Sequence, residues 1–274
     1  MSNSTLTPYF YCKNILESTS LEEKLSGFAG NLAGESPRES FIVCSPSRAT
    51  AIAFSEEQIK FPKIGSLKNE GQRGKALHFF ANHELLAIEM MAQAICKFVD
   101  MPQETIRSLM GTIADEQRHF KLYQSRMRDF GVEFGDFPLN AFFWSYMAKI
   151  DSYESFFAVL SLTFEQANLD FAKHYELAFS SIGDNETAEI LKEVYEDEIK
   201  HVARGHNVLR RSDPNDLWTH YVDLLPPPLT PARAKGMIFD QSGRAKAGLT
   251  GSFIDLLRDY RSEFQITKRK SWEK

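Results

Sequence analysis

Two short strings contain the residues of this chain that could do chemistry. Asp115–His119 reads DEQRH and Asp197–His201 reads DEIKH, and each string lies in a long segment with the apolar periodicity of a helix. In a helix, residues three apart lie on one face about one turn apart, so the Glu and the His of each string can bind the same ion. The two strings therefore predict two places where a metal ion can bind.

Two upstream acids extend this pattern into an internal repeat. Glu84 precedes Glu116 by 32 residues, and Glu165 precedes Glu198 by 33. A single Glu-x-x-His string is weak evidence, because solvated helices often contain one. The duplication with matching upstream acids favours a metal site over a coincidence of surface charges. Four helices that supply Glu, Glu-x-x-His, Glu and Glu-x-x-His meet the requirement of a carboxylate-bridged two-metal site in a four-helix bundle.

Each half of the repeat also contains a second acid, which leaves an alternative for the upstream ligand. Glu89 and Asp170 lie five residues beyond Glu84 and Glu165. Five residues turn a helix by about 140° beyond one full turn. The two acids of one half are therefore not expected to face the same ion, although either one could be the ligand. We favour Glu84 and Glu165.

Charged neighbours of the predicted ligands are candidates to support them. Asp115 and Asp197 each precede a predicted ligand Glu, and each could accept a hydrogen bond from the free ring N–H of a ligand histidine and so fix its tautomer. The alternative is an ordinary aspartate on a helix surface. Arg118 and Lys200 occupy matching positions in the repeat and could support the same network or point into solvent.

One tyrosine and four further histidines lie near the strings or on the same predicted helices. Tyr123 follows His119 by four residues, about one helical turn, so it could approach the metals as a redox group, although core packing is the favoured role. The other histidines are expected to be core or surface residues, with a third metal site or a proton shuttle as the alternative. These histidines are His78, His83, His174 and His206.

The residue types in the sequence limit which metal could bind and in which compartment we expect the protein. Carboxylate oxygen and imidazole nitrogen without thiolate suit iron first, or manganese or a mixed pair, and disfavour a structural zinc site. The three cysteines lack CxxC spacing, which argues against a disulfide framework and for a cytoplasmic protein. A net charge of −5 does not indicate a nucleic-acid-binding face. Neither a signal peptide nor a membrane-spanning apolar run is recognisable.

Helical periodicity predicts an all-α protein whose four long helices position the candidate ligands. These helices are expected at about 73–99, 102–130, 152–181 and 185–211. Residues 131–150 are too many for a tight turn and too aromatic for a solvated loop. They are predicted to form a long crossover with a short helix over one end of the bundle.

The remaining sequence predicts additions at both ends of a single domain. Residues 1–73 are expected to form an N-terminal arm, 74–211 the bundle, and 212–274 a C-terminal helical extension. Within the arm, residues 34–71 contain three prolines with many Ser and Gly and should be extended or looping. Shorter features are predicted as helices at 8–16, 20–28, 214–225 and 252–264, a polyproline segment at 226–231 and a solvated basic tail at 268–270.

Taken together, these residues resemble the ferritin-like superfamily of carboxylate-bridged diiron proteins. The oxidase and oxygenase branch of that superfamily contains the D-E-x-R-H string seen at Asp115–His119. The chain is more closely similar to an uncharacterised bacterial family of ferritin-like proteins, and this resemblance covers most of it. The matching strings are ANHELLAIEMMA at 81–92, DEQRHF at 115–120, GDFP at 135–138, FEQANLD at 164–170, DEIKHV at 197–202 and LPPPLTPARAKG at 225–236.

The superfamily resemblance implies a ferritin-like four-helix bundle that holds two metal ions and activates dioxygen or peroxide. The six ligands that it implies are Glu84, Glu116, His119, Glu165, Glu198 and His201. Lys200 stands where the oxygenase pattern has Arg, which leaves the hydrogen-bond network around the ligands undecided. Tyr123 lies at the spacing of the radical tyrosine in ribonucleotide reductase small subunits, but the rest of that family's pattern is missing.

Three functions follow from these features. The favoured one is a non-haem diiron oxidase or hydroxylase of a small or tRNA-borne substrate, because the two terminal segments add more cover than a storage subunit needs. The alternative is a ferritin- or rubrerythrin-like protein that handles metal or scavenges peroxide, although no rubredoxin-type CxxC pair is found in the sequence. A bundle that binds metal only for stability is the third. The electron donor is undetermined, and a homodimer is left open.

Overall fold

The computed structural model describes residues 6–34, 37, 39–57, 59–212 and 215–262. This part of the chain is helical, with one isolated β-bridge between Phe54 and Leu139, which confirms the all-α class. The chain divides into two compact units, Met1–Lys149 and Ile150–Lys274. Each unit contains one half of the internal repeat. The predicted boundaries at residues 73 and 211 fall inside these units, so the arm belongs with the first two long helices and the extension with the last two.

Two long helices dominate the first unit. Helix α3 spans Glu70–Lys97 and helix α4 spans Gln103–Asp129, and the two pack against each other across a short connection. Asn69 caps α3, because its side chain accepts a hydrogen bond from the Gln72 amide. This cap explains why α3 begins before the predicted position near residue 73. The predicted range of α4 is confirmed to within one residue at each end.

The arm forms two short helices and an extended segment in the first unit. Helix α1 spans Pro8–Glu17 and packs on α3, and helix α2 spans Leu21–Lys24. The prediction of a helix to residue 28 was too long. The segment that follows is largely extended, as predicted, and contains 3-10 turns at Thr50–Ile52 and Ile64–Ser66.

Hydrogen bonds fix this arm to α3. The Phe41 amide donates to Cys96 O at 2.9 Å, and the Val43 amide donates to Gln93 Oε1 at 2.9 Å. Gln93 Nε2 returns a bond to Phe41 O at 2.8 Å. The extended backbone of the arm is therefore satisfied by the side of a helix rather than by a sheet. At the end of the unit, the predicted short helix of the crossover is a 3-10 helix at Trp144–Lys149.

The second unit begins with one continuous helical segment that changes its winding. Helix α5 spans Tyr153–Val159, a π-helical turn spans Leu160–Glu165, and helix α6 spans Gln166–Ser181. Ser152 caps α5 by accepting a hydrogen bond from the Ser155 amide at 3.0 Å. The predicted helix was correct in extent, but its periodicity did not reveal the π-helical turn.

Helix α7 and the C-terminal segment complete the second unit. Helix α7 spans Asn185–Ser212 and packs on α6. Beyond it lie α8 at Leu217–Asp223, a 3-10 turn at Pro231–Ala234, α9 at Gln241–Lys246 and α10 at Gly251–Asp259. The predicted polyproline run instead turns at residues 227–228, and α9 was not predicted. The basic tail at 268–270 lies outside the described residues.

Among the residues described here, no helix combines the length and the apolar character that a membrane crossing needs.

Candidate metal centre

The first candidate site, here called the first triad, consists of Glu84 on α3 and Glu116 and His119 on α4. One potential ligand atom of each residue lies within 4.8 Å of the others. All three side chains are buried, with at most 4% of their surface exposed. His119 Nδ1 lies 3.1 Å from Glu116 Oε2, so the three-residue spacing brings both groups together as predicted.

The second triad repeats this arrangement in the second unit. It consists of Glu165, the last residue of the π-helical turn, with Glu198 and His201 on α7, and their ligand atoms also lie within 4.8 Å of one another. The three residues are buried, with at most 5% exposed. His201 Nδ1 lies 3.3 Å from Glu198 Oε2. The two halves of the repeat thus build two triads of the same composition.

The donor set of each triad fits a divalent metal ion. Two carboxylates held this close in a buried place repel each other, and burial of charge is costly unless a cation or hydrogen bonds compensate it. One divalent ion balances the charge of the two carboxylates, while a neutral imidazole adds a third donor. Oxygen and nitrogen donors without a cysteine are the set that iron and manganese accept.

Asn168 is a neighbour of the second triad that the sequence did not assign to the site. Its Nδ2 donates a hydrogen bond to Glu198 Oε1 at 2.6 Å. Asn168 follows Glu165 by three residues, and the π-helical turn continues directly into α6, so both residues lie on the same side of this helical segment. The three-residue spacing from Glu165 was the feature of the sequence that could have indicated a role for Asn168 in the site. The equivalent position in the first half is occupied by Ala87, which has no side-chain donor.

The aspartates that precede the triad glutamates pair with the basic residues three positions further on. Asp197 Oδ1 accepts a hydrogen bond from Lys200 Nζ at 2.6 Å, and Asp115 Oδ1 lies 3.5 Å from Arg118 Nη2. Asp197 is buried and Asp115 is half-buried. The matching basic residues thus share a role in the repeat, whereas support of the triad histidines by the aspartates stays a prediction.

The second acids of the repeat, Glu89 and Asp170, belong to neither triad among the described residues. Glu89 lies 3.1 Å from Lys24 Nζ and 2.7 Å from Arg48 Nη2, and all three side chains are almost fully buried. It therefore anchors the N-terminal arm on α3. Asp170 receives both Nη atoms of Arg244, at 2.6 and 2.9 Å, and anchors the C-terminal segment on α6.

Asp170 also accepts two backbone hydrogen bonds from the C-terminal segment. The amides of Gly236 and Asp240 donate to its two oxygens at 2.8 and 2.7 Å. Such a fully bonded carboxylate has no need of a metal ion. The alternative in which Glu89 and Asp170 were the upstream ligands is therefore disfavoured.

Tyr123 and the remaining histidines have the packing roles that the sequence favoured. The Tyr123 ring is buried and lies 5.5 Å from the Phe80 ring, centroid to centroid, while a redox role stays a prediction. His78 Nε2 accepts a hydrogen bond from the Gly135 amide at 3.1 Å, and burial lowers the pKa of His78 to about 4. The His83 ring stacks on Phe143 at 4.8 Å. Among the described residues, none of the histidines outside the triads joins a group that could hold a metal.

Two more of the candidate histidines, His174 and His206, lie in the second unit. His174 contacts the edge of the Tyr175 ring, and His206 lies beside Gly248. Burial lowers the pKa of both imidazoles, which favours the neutral form.

Comparison with known proteins identifies the family of the chain but gives no function. The model of one family matches residues 13–255, from α1 to α10, a range that includes both triads. No curated protein and no solved structure gives a significant match. With most of its length covered by that match, the chain belongs to the family described as protein of unknown function DUF455.

Proposed function

We propose that the two triads hold two divalent metal ions, iron in the first instance, and that the protein is a non-haem oxidoreductase acting on an organic substrate. The observation that carries this proposal is the recurrence of a buried Glu, Glu, His triad at equivalent positions of an internal repeat. Buried acids seldom recur in this way without a compensating charge. One such cluster could be structural, but the duplication favours a pair of ions.

In this proposal each triad supplies the ligands of one ion. Glu84, Glu116 and His119 would hold the first, and Glu165, Glu198 and His201 the second. From the sequence repeat and the resemblance to the ferritin-like superfamily, we infer that the ligand-bearing helices belong to a ferritin-like four-helix bundle. Four carboxylates then balance the charge of two divalent ions.

A ferrous pair, when bound, would supply electrons for the reduction of dioxygen or peroxide. The protein side chains set the conditions for that chemistry. The burial of all six groups excludes bulk water and strengthens each charge interaction. The two imidazoles bind in their neutral form, and the hydrogen bond from Asn168 orients the carboxylate of Glu198.

Oxidation of a substrate is favoured over iron storage by the way the terminal segments are attached. Buried ion pairs at Glu89 and Asp170 hold these segments on α3, which contains Glu84, and on α6, which directly follows Glu165. A segment fixed by buried charges is an integral part of its unit, because separating the partners of a buried ion pair is strongly destabilising. A storage subunit has less use for such cover than an enzyme that must select a substrate.

Metal stoichiometry tests the ligand assignment. Protein loaded anaerobically with ferrous iron should hold two ions per chain by elemental analysis. His119→Ala and His201→Ala should each lose one ion, and the double variant should lose both. His174→Ala, which removes a histidine of α6 outside the triads, is the matched control and should keep both. Two tightly held ions in the double variant would rule out these ligands.

Rapid mixing with dioxygen tests the reaction class. The reduced, iron-loaded protein should consume dioxygen faster than free ferrous ion does, and the iron bound afterwards should remain at two ions per chain. If many ferric ions per chain accumulate in a soluble mineral, the oxidoreductase proposal fails and the storage alternative stands. If no faster consumption is seen with two ions bound, the metal serves stability alone.

A further inference from the structure

The π-helical turn places Glu165 in the second triad, and side chains bond to carbonyl groups within the turn and just before it. A π-helical turn contains one more residue than a regular turn, which disturbs the usual backbone hydrogen bonds. Thr163 Oγ1 donates to Ala158 O at 2.8 Å. In the orientation of the Gln166 amide that satisfies both of its ends, its nitrogen donates to Leu162 O at 2.6 Å. Side chains therefore stabilise the turn next to Glu165.

Tyr221, from α8 in the C-terminal segment, reaches this turn. Its hydroxyl oxygen lies 2.8 Å from Thr163 Oγ1. A threonine hydroxyl has a single hydrogen, and that hydrogen is donated to Ala158 O. Tyr221 is therefore the donor and Thr163 the acceptor, which forms a chain from Tyr221 through Thr163 to Ala158. Both side chains are fully buried, and burial raises the pKa of Tyr221, so the phenol keeps its proton.

A second group of the same segment holds the other side of Glu165. Arg244 Nη2 donates to Gln166 O at 3.4 Å, and its Nε lies 3.3 Å from the amide oxygen of Gln166. The same guanidinium forms the paired contact with Asp170. Side chains thus bond to the backbone on both sides of Glu165 in the sequence.

We propose that Tyr221 is a positioning residue for Glu165: its hydrogen bond to Thr163 fixes the π-helical turn that presents this ligand to the second ion. The proposal rests on the proposed function, because it assumes that Glu165 is a metal ligand. Tyr221 does not act by contact with the metal. It acts through Thr163 and the backbone. Direct hydrogen-bond partners of metal ligands typically change metal affinity by about 10–100-fold, and we expect this more remote contact to act at the lower end of that range.

Cobalt titration of the full-length, metal-free protein tests the proposal, because the visible spectrum of bound Co²⁺ reports its coordination geometry. Wild-type protein should bind two ions, and Glu165→Gln should weaken one of them. Tyr221→Phe and Thr163→Val each remove a hydroxyl at nearly constant volume. Each should weaken the same ion about tenfold and alter its spectrum. Thr163→Ser, which keeps the hydroxyl, should behave as wild type.

Tyr9→Phe is the matched control for the loss of a buried phenol. Tyr9 is buried in the first unit and donates to Glu39 O at 3.3 Å. Its variant should change neither ion. If Tyr221→Phe does not fold, the Thr163→Val and Thr163→Ser pair decides the matter. Equal weakening in both Thr163 variants would overturn the proposal, because packing and not the hydroxyl would then be responsible.

The outcomes also separate this proposal from the function on which it rests. If wild-type protein binds no cobalt, the metal centre itself fails. If it binds two ions and Tyr221→Phe matches wild type in affinity and spectrum, the metal centre stands and the positioning role is overturned.

Discussion

Five residues of helix separate a triad acid from an anchoring acid in each half of the repeat. Glu84 and Glu89 on α3 lie about 140° apart around the helix, and the same holds for Glu165 and Asp170. One face of each helix therefore presents a candidate ligand while another presents a buried ion pair. Each half of the repeat contains both acids. The structure shows that Glu84 and Glu165 belong to the triads, whereas Glu89 and Asp170 form the buried ion pairs.

At this scale we predict that Glu89→Gln lowers the free energy of unfolding by about 3–5 kcal/mol, because it leaves the buried charges of Lys24 and Arg48 without their partner. Glu17→Gln is the matched control, since Glu17 is exposed and lies 4.0 Å from Lys13, and it should change stability little. Urea denaturation of both variants measures the difference.

Metal binding provides a second readout for the same variant. Glu89→Gln should still bind two ions per chain wherever it is folded, because Glu89 is an anchor and not a ligand. Loss of one ion without loss of stability would show the opposite assignment, in which Glu89 replaces Glu84.

The sequence predicted the grouping of the triad residues but missed their supporting contacts. Glu116 and His119 meet because of a three-residue spacing, and the repeat extends that argument to the second half. The contact of Asn168 with Glu198 spans 30 residues and that of Tyr221 with Thr163 spans 58. Such long-range pairs depend on how the helices pack, which helical periodicity does not specify.

At the scale of elements, the π-helical turn and α7 fit together through a glycine. A Cβ atom at position 205 would lie 2.3 Å from the Cβ of Ser161. Glycine in the interior of a helix costs about 1 kcal/mol relative to alanine, so Gly205 is explained by the space it leaves and not by helix stability. The helical periodicity of both segments was correctly predicted. That periodicity specifies neither the close approach of the two segments nor the π-helical winding at Leu160–Glu165.

We predict that Gly205→Ala lowers the melting temperature, although alanine favours helix formation. The new Cβ must displace Ser161, and Glu165 lies one turn further along the same segment, so the second triad should also bind its ion more weakly. Gly251→Ala is the control, because nothing lies within 4 Å of a Cβ at the start of α10. Thermal unfolding with metal titration measures both effects. A Gly205→Ala variant as stable as Gly251→Ala would show that the helices can separate at no cost.

At the scale of the whole molecule, four histidines outside the triads link stability to pH. In each unit, burial lowers the pKa of two imidazoles. These are His78 and His83 in the first unit and His174 and His206 in the second. The chain could be recognised from its sequence as an all-α protein with four long helices, but the burial of these histidines follows from packing that composition does not reveal.

Acidification should therefore destabilise the protein, and His78 allows the effect to be assigned. The pKa of His78 is about 4 in the folded state and about 6.5 in the unfolded chain, so the unfolded state binds more protons between these values. The stabilising effect of the neutral imidazole is fully present above about pH 6.5 and is lost progressively as the pH falls toward 4. Proton linkage at this residue lowers the free energy of unfolding by about 2 kcal/mol between pH 7 and pH 5.

His78→Gln tests this assignment, because the glutamine oxygen can accept the hydrogen bond of the Gly135 amide and does not titrate. Between pH 7 and pH 5, the free energy of unfolding of the variant should fall by about 2 kcal/mol less than that of wild type. At pH 7, the free energies of unfolding of the two proteins should differ by less than this amount. His220→Gln is the control, since His220 is only partly buried and bonds Ser212 near the surface. Urea denaturation of the metal-free protein at both pH values measures the slopes, and equal slopes for wild type and His78→Gln would show that His78 does not resist protonation.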